Sequence, residues 1–411
     1  MTQGSIPSVP SRRLWALAAA GLALMPVGMA VASRSSPIFV VLAALAALSA
    51  LAVEGRAGSV ASDLRRAFAM PLGLVAAIFV AWCAVTIAWS AAPRVSLHQF
   101  GEALLPLAAA LVLGLTLPGR VRRWLAWGLA GAIVTAAALI AAELATGLAL
   151  RRELGTRAST FIFNRSALTL LVLLPAACAL AWASLPRRRA QIVTLVLVAA
   201  TALTVLRSDS GAAILGLALG LAAYVMARVL PRVATALAVL GIVAAFATAP
   251  FLGEIVDRVV PAKAHESLAE THSRDRVEIW QSFGLAVRAA PLVGQGFGVS
   301  ARFATTPVAA ALPVDNQILL AVGHPHNAVL QIWAELGLVG AGLAAALLIL
   351  LVRYLAALPP ARYAPRLALL AGALAVALVG HGAWQGWWWA CLGTAAVLFR
   401  VADRIEDGVS S

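Results

Sequence analysis

Continuous apolar runs follow one another along almost the whole chain. Each run has about 17 to 25 residues, enough to cross a hydrocarbon core about 30 Å thick as an α-helix, in which the backbone groups satisfy one another. The runs lack the period-two alternation that marks the strands of a membrane barrel. The sequence therefore predicts an all-α polytopic membrane protein with about twelve spanning helices. The predicted spans are 14–32, 37–53, 70–90, 100–117, 122–147, 166–185, 190–206, 211–230, 233–251, 327–352, 365–383 and 384–400.

Composition supports this fold class. The 411 residues are 62% hydrophobic and 12% charged, and the mean hydropathy is +0.93, whereas soluble domains are roughly half apolar and a quarter charged. A water-soluble enzyme is excluded. The first apolar run leads directly into the second without a small-residue cleavage site, so we expect no cleavable signal peptide. Cys83, Cys178 and Cys391 lie in separate runs without CxxC spacing, which predicts neither a disulfide framework nor a thiolate metal site.

The order of the runs predicts a simple linear organisation. Residues 1–251 hold nine spanning helices, 252–326 form one long extramembrane segment with short helices, 327–400 hold three more spans, and 401–411 are a tail. An even number of spans places both termini on one side, and 18 of the 31 Lys and Arg residues fall on that side. The positive-inside rule identifies it as the cytoplasm. Because the net charge of +14 is distributed over these short loops, it does not indicate nucleic-acid binding.

The remaining basic residues are concentrated on the outer side. Six lie in the long segment 252–326, and four arginines crowd the short loop before the sixth span: Arg151, Arg152, Arg157 and Arg165. Positive charge on the outer side runs against the positive-inside rule, so a functional role is the better explanation for these arginines. Pairing with neighbouring acids is the alternative, through Glu153 or through the acidic residues of the long segment, which are Glu254, Asp257, Glu266, Glu270, Asp275, Glu278 and Asp315. An anionic ligand on the outer face is the sharper hypothesis, because arginine grips phosphate with a planar fork of donors.

Two elements are predicted within the long segment. Residues 271–290 form a helix with Val277, Trp280 and Leu285 roughly on one side, and the glycine-rich loop Pro291–Gly298 ends it. Spaced glycines without a preceding strand are not a dinucleotide fingerprint. By themselves they carry little functional information.

The most specific run in the chain extends from His324 to Gly340. Pro325 is well tolerated at the first position of a helix, so span ten is predicted to begin there with His326 in its first turn. The amide groups of that turn favour an anion, and an imidazole beside it can take a proton from an attacking hydroxyl. Gly337 and Gly340 lie one turn apart and are expected to pack closely against another helix. A lone interfacial histidine is more often structural than catalytic.

The pattern His326-Asn327, nine residues, Gly337-x-x-Gly340 resembles the signature of the O-antigen ligase family. Three further stretches agree in order and topology, so the resemblance extends over about residues 150 to 345: Gly155–Arg165, Ser208–Ala213, and Ser273–Trp280 with the glycine-rich loop. Two positions depart from the family. Ala341 follows the second glycine, and Asp209-Ser210-Gly211 replaces the common Ser-Arg-Gly, which puts a role for Arg207 in doubt.

The resemblance implies a GT-C-like membrane glycosyltransferase of the bacterial inner membrane, with its active site on the periplasmic face. It would transfer O-polysaccharide from undecaprenyl diphosphate to a sugar hydroxyl of lipid A-core, so its partners are that carrier-linked glycan, the lipid A-core acceptor and membrane lipids. Carried over by position, Arg157 and Arg276 hold the diphosphate and His326 orients or deprotonates the acceptor hydroxyl. The candidate supporting residues are Asn164, Arg165, Arg207, Trp280, His324 and Asn327.

This scheme requires no cofactor and no metal. The chain has no Asp-x-Asp pair, no HExxH helix and no Gly-x-x-x-x-Gly-Lys loop, so the energy is expected to come from the activated donor. Ionisable residues within spans, Glu102 and Glu143, are expected to pair with arginines across the bundle. An interfacial aromatic belt is the expected role of four tryptophans, Trp384, Trp387, Trp388 and Trp389.

Other functions remain open at this point. An O-antigen polymerase uses the same carrier but extends a second carrier-linked glycan, and a protein O-oligosaccharyltransferase belongs to the same superfamily. A small-anion transporter would use the outer arginines as an entry funnel. No pair of interrupted spans near the membrane midplane is evident from the sequence, which disfavours the transporter.

Overall fold

The described part of the chain is helical. The computed structural model describes residues 9–121, 123–260, 273–380 and 382–409, and no β-strand occurs within these ranges. Eleven helices in the described ranges are long and apolar enough to cross a membrane. The protein is an all-α polytopic membrane protein, as predicted.

The described ranges contain eighteen α-helices, which are numbered here in chain order. The first nine are α1 (Val9–Val31), α2 (Ser36–Val53), α3 (Ser59–Ala69), α4 (Pro71–Thr86), α5 (Pro93–Thr116), α6 (Trp124–Ala145), α7 (Ala149–Glu153), α8 (Ile162–Ser184) and α9 (Arg187–Arg207). The second nine are α10 (Gly211–Val229), α11 (Pro231–Thr248), α12 (Leu252–Val259), α13 (Ser273–Ala289), α14 (Pro307–Ala310), α15 (Val314–Leu320), α16 (Ala328–Ala356), α17 (Pro360–Val379) and α18 (Gly386–Val409). Turns of 3₁₀ helix cover Ile87–Trp89, Ala249–Phe251 and Val299–Thr305.

The predicted apolar runs coincide with helices, but several helices begin earlier than their runs. α5 begins at Pro93, although its apolar run begins at residue 100. Proline is favoured in the first turn, where its missing N–H leaves no hydrogen bond unmade. The run predicted at 384–400 is α18, which is not among the eleven apolar spans. Its second half carries Arg400 and Asp403, which lower its hydropathy.

α3 was not predicted. This 11-residue helix lies between α2 and α4, and Asp63 and Arg66 form an ion pair on its surface. Its apolar residues lie on one face, and among them Val60 is buried. The sequence missed α3 because the helix is too short and too polar to look like a span.

The chain divides into two compact units. The first consists of residues 1–67, 104–221 and 386–411. Within it, α8 packs against α1, α9 and α18, and large side chains such as Leu168, Leu173 and Leu180 are fully buried. Ser166 Oγ donates to Met29 O at 2.6 Å, which ties α8 to α1. This unit carries the predicted arginine loop that precedes α8.

The second unit consists of residues 68–103 and 222–385. Within it, α16 packs against α4, α11 and α17. The extramembrane helix α13 also rests on α16, since Ile279, Trp280 and Phe283 form a buried cluster with Leu330 and Ala334. This packing brings the arginine-tryptophan helix to the beginning of span ten.

α16 is interrupted at Gly337, where φ is +64° and ψ is −164°. Backbone N–H groups after the break bond to the glycine-rich loop, from Leu338 to Pro291 O at 2.8 Å and from Val339 to Leu292 O at 3.3 Å. The sequence predicted an uninterrupted helix here. Because the loop carbonyls replace the lost helical acceptors, the break leaves these amide groups satisfied even within an apolar span.

Candidate active site

His326 lies immediately before α16. Asn327 is the N-cap of this helix, and its side-chain oxygen accepts a hydrogen bond from Leu330 N at 2.9 Å. The sequence placed the helix start at Pro325; the helix starts later because a capping residue adopts an extended conformation, which ends the helix on its N-terminal side. His326 therefore stands outside the first turn, with φ of +53°. Left-handed backbone is rare for a residue with a Cβ atom and is often found at functional sites.

The two histidines of this loop contact each other. Their ring centroids are 4.3 Å apart, and His324 Nδ1 accepts a hydrogen bond from the His326 backbone N–H at 3.1 Å. Burial, with a smaller contribution from His326, lowers the pKa of His324 to about 4. Burial, and then the charge of Arg276, lowers the pKa of His326, although a hydrogen bond to the Gly380 carbonyl opposes this. Both imidazoles are therefore neutral at pH 7, and His326 can accept a proton.

Arg276 and Trp280 lie one turn apart on α13, facing the histidine loop. Trp280 Nε1 donates to Pro325 O at 2.8 Å, which fixes the backbone beside His326. Arg276 is half-buried, and burial lowers its pKa, yet a guanidinium stays protonated in proteins. Within the described ranges no acid pairs with Arg276. A cation held beside a neutral imidazole, without its own counterion there, is suited to binding an anion.

In the second half of the glycine-rich loop, by contrast, the four amide groups of residues 295–298 are already hydrogen-bonded. Its backbone N–H groups bond to acceptors of the same unit. The donor and acceptor pairs are Gln295 N to Ala334 O, Gly296 N to Glu335 O, Phe297 N to Thr86 Oγ1, and Gly298 N to the Glu335 carboxylate. This half of the loop is therefore part of the framework of the site, and its four amides are not available to bind an anion.

Gly337 and Gly340 accommodate the break in α16. A Cβ atom on Gly337 would overlap the backbone of Leu292 and Val293, and a Cβ on Gly340 would overlap the Leu336 side chain of its own helix. The sequence predicted that both glycines pack against a neighbouring helix. The neighbour of Gly337 is instead the glycine-rich loop, because the left-handed backbone at this residue opens the helix to a second chain segment.

Sequence reasoning assigned no role to Glu335, the most buried ionisable residue of the site. Its exposed fraction is 0%, and its carboxylate accepts four hydrogen bonds. The donors are Gln331 Nε2 at 2.8 Å, Trp384 Nε1 at 2.6 Å, Gly298 N at 2.5 Å and Ser300 N at 3.2 Å. The available signal was an acidic residue inside an apolar span, which is a functional candidate by default.

Four predicted site residues belong to the first unit. Arg157 is exposed in the loop before α8, and Arg207 is exposed at the end of α9. Arg165, in the first turn of α8, lies over the Trp387 ring at 5.8 Å. The side-chain oxygen of Asn164 is buried without a hydrogen-bond partner in the described part of the unit. The roles of these residues in diphosphate binding remain predictions.

Neighbouring arginines and tryptophans have structural partners. Arg151 pairs with Glu143 at 4.0 Å, and its guanidinium lies 4.8 Å from the Phe163 ring centroid. Glu143 thus has an arginine partner as expected, although Arg151 lies on the next helix of the chain, α7, and not across the bundle. Glu102 is exposed, and no ion pair among the described residues includes it. The predicted aromatic belt is wrong for three of its members, Trp384, Trp387 and Trp388, which are 4 to 6% exposed. Their rings lie in the protein interior instead of at the membrane surface. The indole N–H of Trp384 donates there to the Glu335 carboxylate.

The structure also bears on charge pairing in the long segment. Arg288 pairs with Glu254 at 2.6 Å, so one of the six basic residues there is neutralised as the alternative hypothesis predicted. Lys263, Glu266 and Glu270 lie outside the described residues. Among the described residues, no three His, Cys, Asp or Glu side chains group together as metal ligands.

Comparisons with known proteins agree with the motif assignment. A family model described as O-antigen ligase matches residues 196–345, a range that contains Arg276, His326 and Glu335. A relative from Rickettsia typhi, provisionally named a polysaccharide ligase, is 24% identical over 195 residues, or 44% of this chain and 45% of that protein. A Rickettsia felis relative, provisionally given the same name, is 21% identical over 323 residues, covering 76% of this chain and 75% of the relative. The match to the Rickettsia typhi protein thus spans slightly less than half of its length. Residues 196–345 thus match the O-antigen ligase family, and the relatives named as polysaccharide ligases support the same family.

Proposed function

We propose that the protein is an O-antigen ligase, which transfers O-polysaccharide from undecaprenyl diphosphate to a sugar hydroxyl of lipid A-core. The match of residues 196–345 to the O-antigen ligase family, together with the relatives named as polysaccharide ligases, supports the less specific assignment of a polysaccharide ligase. The observation that carries the proposal is the pair formed by a neutral imidazole at His326 and the guanidinium of Arg276, which has no acidic partner among the described residues, next to the start of a spanning helix. A base beside a fixed cation matches the needs of glycosyl transfer to a hydroxyl.

The chemistry proceeds by displacement at the anomeric carbon of the donor sugar. The acceptor hydroxyl loses its proton to a ring nitrogen of His326 as its oxygen bonds to that carbon. The bond between the carbon and the diphosphate oxygen breaks, and its electron pair remains on the diphosphate. Arg276 stabilises the charge that grows there, since a preorganised donor needs no rearrangement during the reaction. For Arg157, in the loop before α8 of the first unit, the proposal keeps the role in diphosphate binding that the family resemblance implies.

The remaining elements of the proposal concern location. The charge distribution supports an inner-membrane protein with both termini in the cytoplasm, so that the His326 site faces the periplasm. There the enzyme meets the carrier-linked glycan and the lipid A-core acceptor within the outer leaflet. Neither substrate has to cross the membrane during the reaction.

The test is complementation of a ligase-deletion strain with single variants, read on polysaccharide gels and by in vitro transfer with carrier-linked glycan. His326→Ala, Arg276→Ala and Arg157→Ala are expected to abolish smooth-type lipopolysaccharide while the protein remains in the membrane. For an arginine, the expected loss of transfer rate is about a hundredfold, since a removed donor costs roughly 3 kcal/mol of barrier. Arg274→Ala is the matched control, because Arg274 is an exposed arginine of α13.

The same experiment separates the rival functions. Loss of all long chains with intact carrier-linked polymer indicates a ligase, whereas lipopolysaccharide with a single repeat indicates a polymerase. Loss of glycan from proteins with normal lipopolysaccharide indicates a protein O-oligosaccharyltransferase. Wild-type lipopolysaccharide with all three variants contradicts the proposed site.

A further inference from the structure

The Glu335 carboxylate is buried among donors rather than paired with a cation. Four N–H groups converge on its two oxygens, and among the described residues no ion pair includes it. Burying a carboxylate is unfavourable unless its oxygens are fully hydrogen-bonded, and an apolar residue in its place is often equally stable. Stability alone therefore gives a weak reason for an acid at this position.

The donors come from three separate segments of the second unit. Gly298 and Ser300 follow the glycine-rich loop, Gln331 lies one turn earlier on α16, and Trp384 lies in the connection after α17. Only an acceptor with two oxygens and no hydrogen can serve all of them, because each partner offers a proton. The carboxylate thus joins these segments at one point inside the protein.

One of these bonds leads to the histidines. Gln331 donates to Glu335 and accepts from Ala383 N at 2.8 Å through its own oxygen. The neighbouring Gly382 lies against the His324 ring, so closely that a Cβ there would be 3.4 Å from it. The Gly380 carbonyl, in the same connection, accepts a hydrogen bond from His326. The segment that supports both imidazoles is therefore held by Gln331 and, through Gln331, by Glu335.

We propose that Glu335 is a positioning residue, which acts through Gln331 and Trp384 to fix the connection after α17 and thereby the orientation of His326. The inference rests on the proposed function only in naming His326 as the base. Glu335 itself is remote from substrate, since its oxygens are fully engaged by protein donors. Its oxygens also occupy the amide groups of Gly298 and Ser300, so these two amides are not available to a substrate.

The test uses the full chain in lipid nanodiscs and two readouts. Diethyl pyrocarbonate modification of His326, followed by mass spectrometry of the peptide, reports its orientation and exposure without any substrate. Glycan transfer gives kcat and the KM for the carrier-linked donor. The variant is Glu335→Gln, whose amide turns one acceptor into a donor facing other donors. The matched control is Glu143→Gln, which changes a buried acid of the first unit.

In Glu335→Gln, the modification rate of His326 is expected to rise about fivefold, the size expected for losing one hydrogen bond that holds the site closed. The kcat is expected to fall about a hundredfold, as for a catalytic group displaced by about 1 Å. The donor KM is expected to change less than about threefold, because Arg276 on α13 is untouched. Glu143→Gln is expected to leave the His326 rate unchanged.

An unchanged His326 modification rate in folded Glu335→Gln, or an equal rise in Glu143→Gln, overturns the proposal. If Glu335→Gln does not fold, Gln331→Leu decides the question, since it removes the link to Ala383 and leaves the other three bonds to Glu335. Its His326 rate is expected to rise similarly, and no rise overturns the proposal. The two proposals can fail separately. If the wild-type protein transfers no glycan, but the His326 modification rate rises in Glu335→Gln and not in Glu143→Gln, the proposed function is refuted and the positioning role stands.

Discussion

Burial and the charge of Arg276 keep the His326 imidazole neutral, and hydrogen bonds from neighbouring groups fix the loop that carries it. His324 contributes through Nδ1, which accepts the backbone N–H of His326 and is therefore not itself available as a base. Trp280 holds the adjacent carbonyl of Pro325, and Asn327 caps the helix that follows. The sequence indicated His324, Trp280 and Asn327 as candidate supporting residues, but their contacts depend on which segments pack around the loop.

The lowered pKa of His324 predicts a dependence of stability on acidity. Its pKa falls from 6.5 to about 4 in the folded protein, so between these values the unfolded chain binds more protons. The free energy of unfolding is expected to be constant above pH 6.5 and to decrease as the pH falls towards 4, by at most about 3 kcal/mol. Protonation of Nδ1 also removes the hydrogen bond to His326.

The measurement is the midpoint of thermal unfolding in detergent between pH 4 and 8, with unfolding monitored by tryptophan fluorescence. His324→Asn places an amide oxygen near the Nδ1 position, and this amide does not titrate. The decrease in the thermal midpoint between pH 6.5 and 4 should therefore be smaller in this variant. His98→Asn, at an exposed histidine of α5, is the control. An unchanged decrease of the thermal midpoint at acid pH in His324→Asn would falsify the claim that His324 causes it.

At the scale of elements, the break in α16 and the glycine-rich loop form one structure. Each replaces the hydrogen bonds that the other lacks, and Gly337 lies where the two backbones approach most closely. Periodicity predicted a helix from residue 327 onwards because both halves are equally apolar. The break itself is invisible to hydropathy, since it depends on carbonyl groups from residues 291 and 292.

A methyl group at this contact should disrupt it. Gly337→Ala places a Cβ onto the Leu292 backbone and forces alanine to adopt φ of +64° and ψ of −164°, a conformation essentially restricted to glycine that alone costs about 1 to 3 kcal/mol. We expect a thermal midpoint lower by several degrees and loss of glycan transfer. Gly342→Ala is the control on the same helix, because a Cβ there meets nothing within 4 Å. Equal midpoints for the two variants would refute the structural role of Gly337.

At the scale of the whole molecule, the arrangement of charge along the chain gives a testable topology. Connections rich in arginine, such as residues 186–189, are expected on the cytoplasmic side, and the loop before α8 on the opposite side. Arg188 and Thr156 are exposed representatives of these two sides. The native Cys83 and Cys391 are buried and should not react.

Labelling with a membrane-impermeant maleimide checks this topology. In spheroplasts, Thr156→Cys is expected to react and Arg188→Cys to react only after lysis. Ala311→Cys, at an exposed position of the long segment, is expected to behave like Thr156→Cys. The unsubstituted chain is the control for background labelling. Labelling of Arg188→Cys in intact spheroplasts would reverse the orientation and move the His326 site to the cytoplasm.

The sequence by itself determined the fold class, the positions of the apolar helices and the family motif, because hydropathy and a short signature depend only on neighbouring residues. Through motifs that resemble the family's, it also indicated Arg157, Arg276 and His326 as candidate site residues. The tertiary structure decided the rest: the late start of α16, its break at Gly337, the burial of Trp384 and the hydrogen bonds of Glu335. Each of these depends on a donor, an acceptor or a packing partner that is distant in the chain, and no local pattern encodes such a partner.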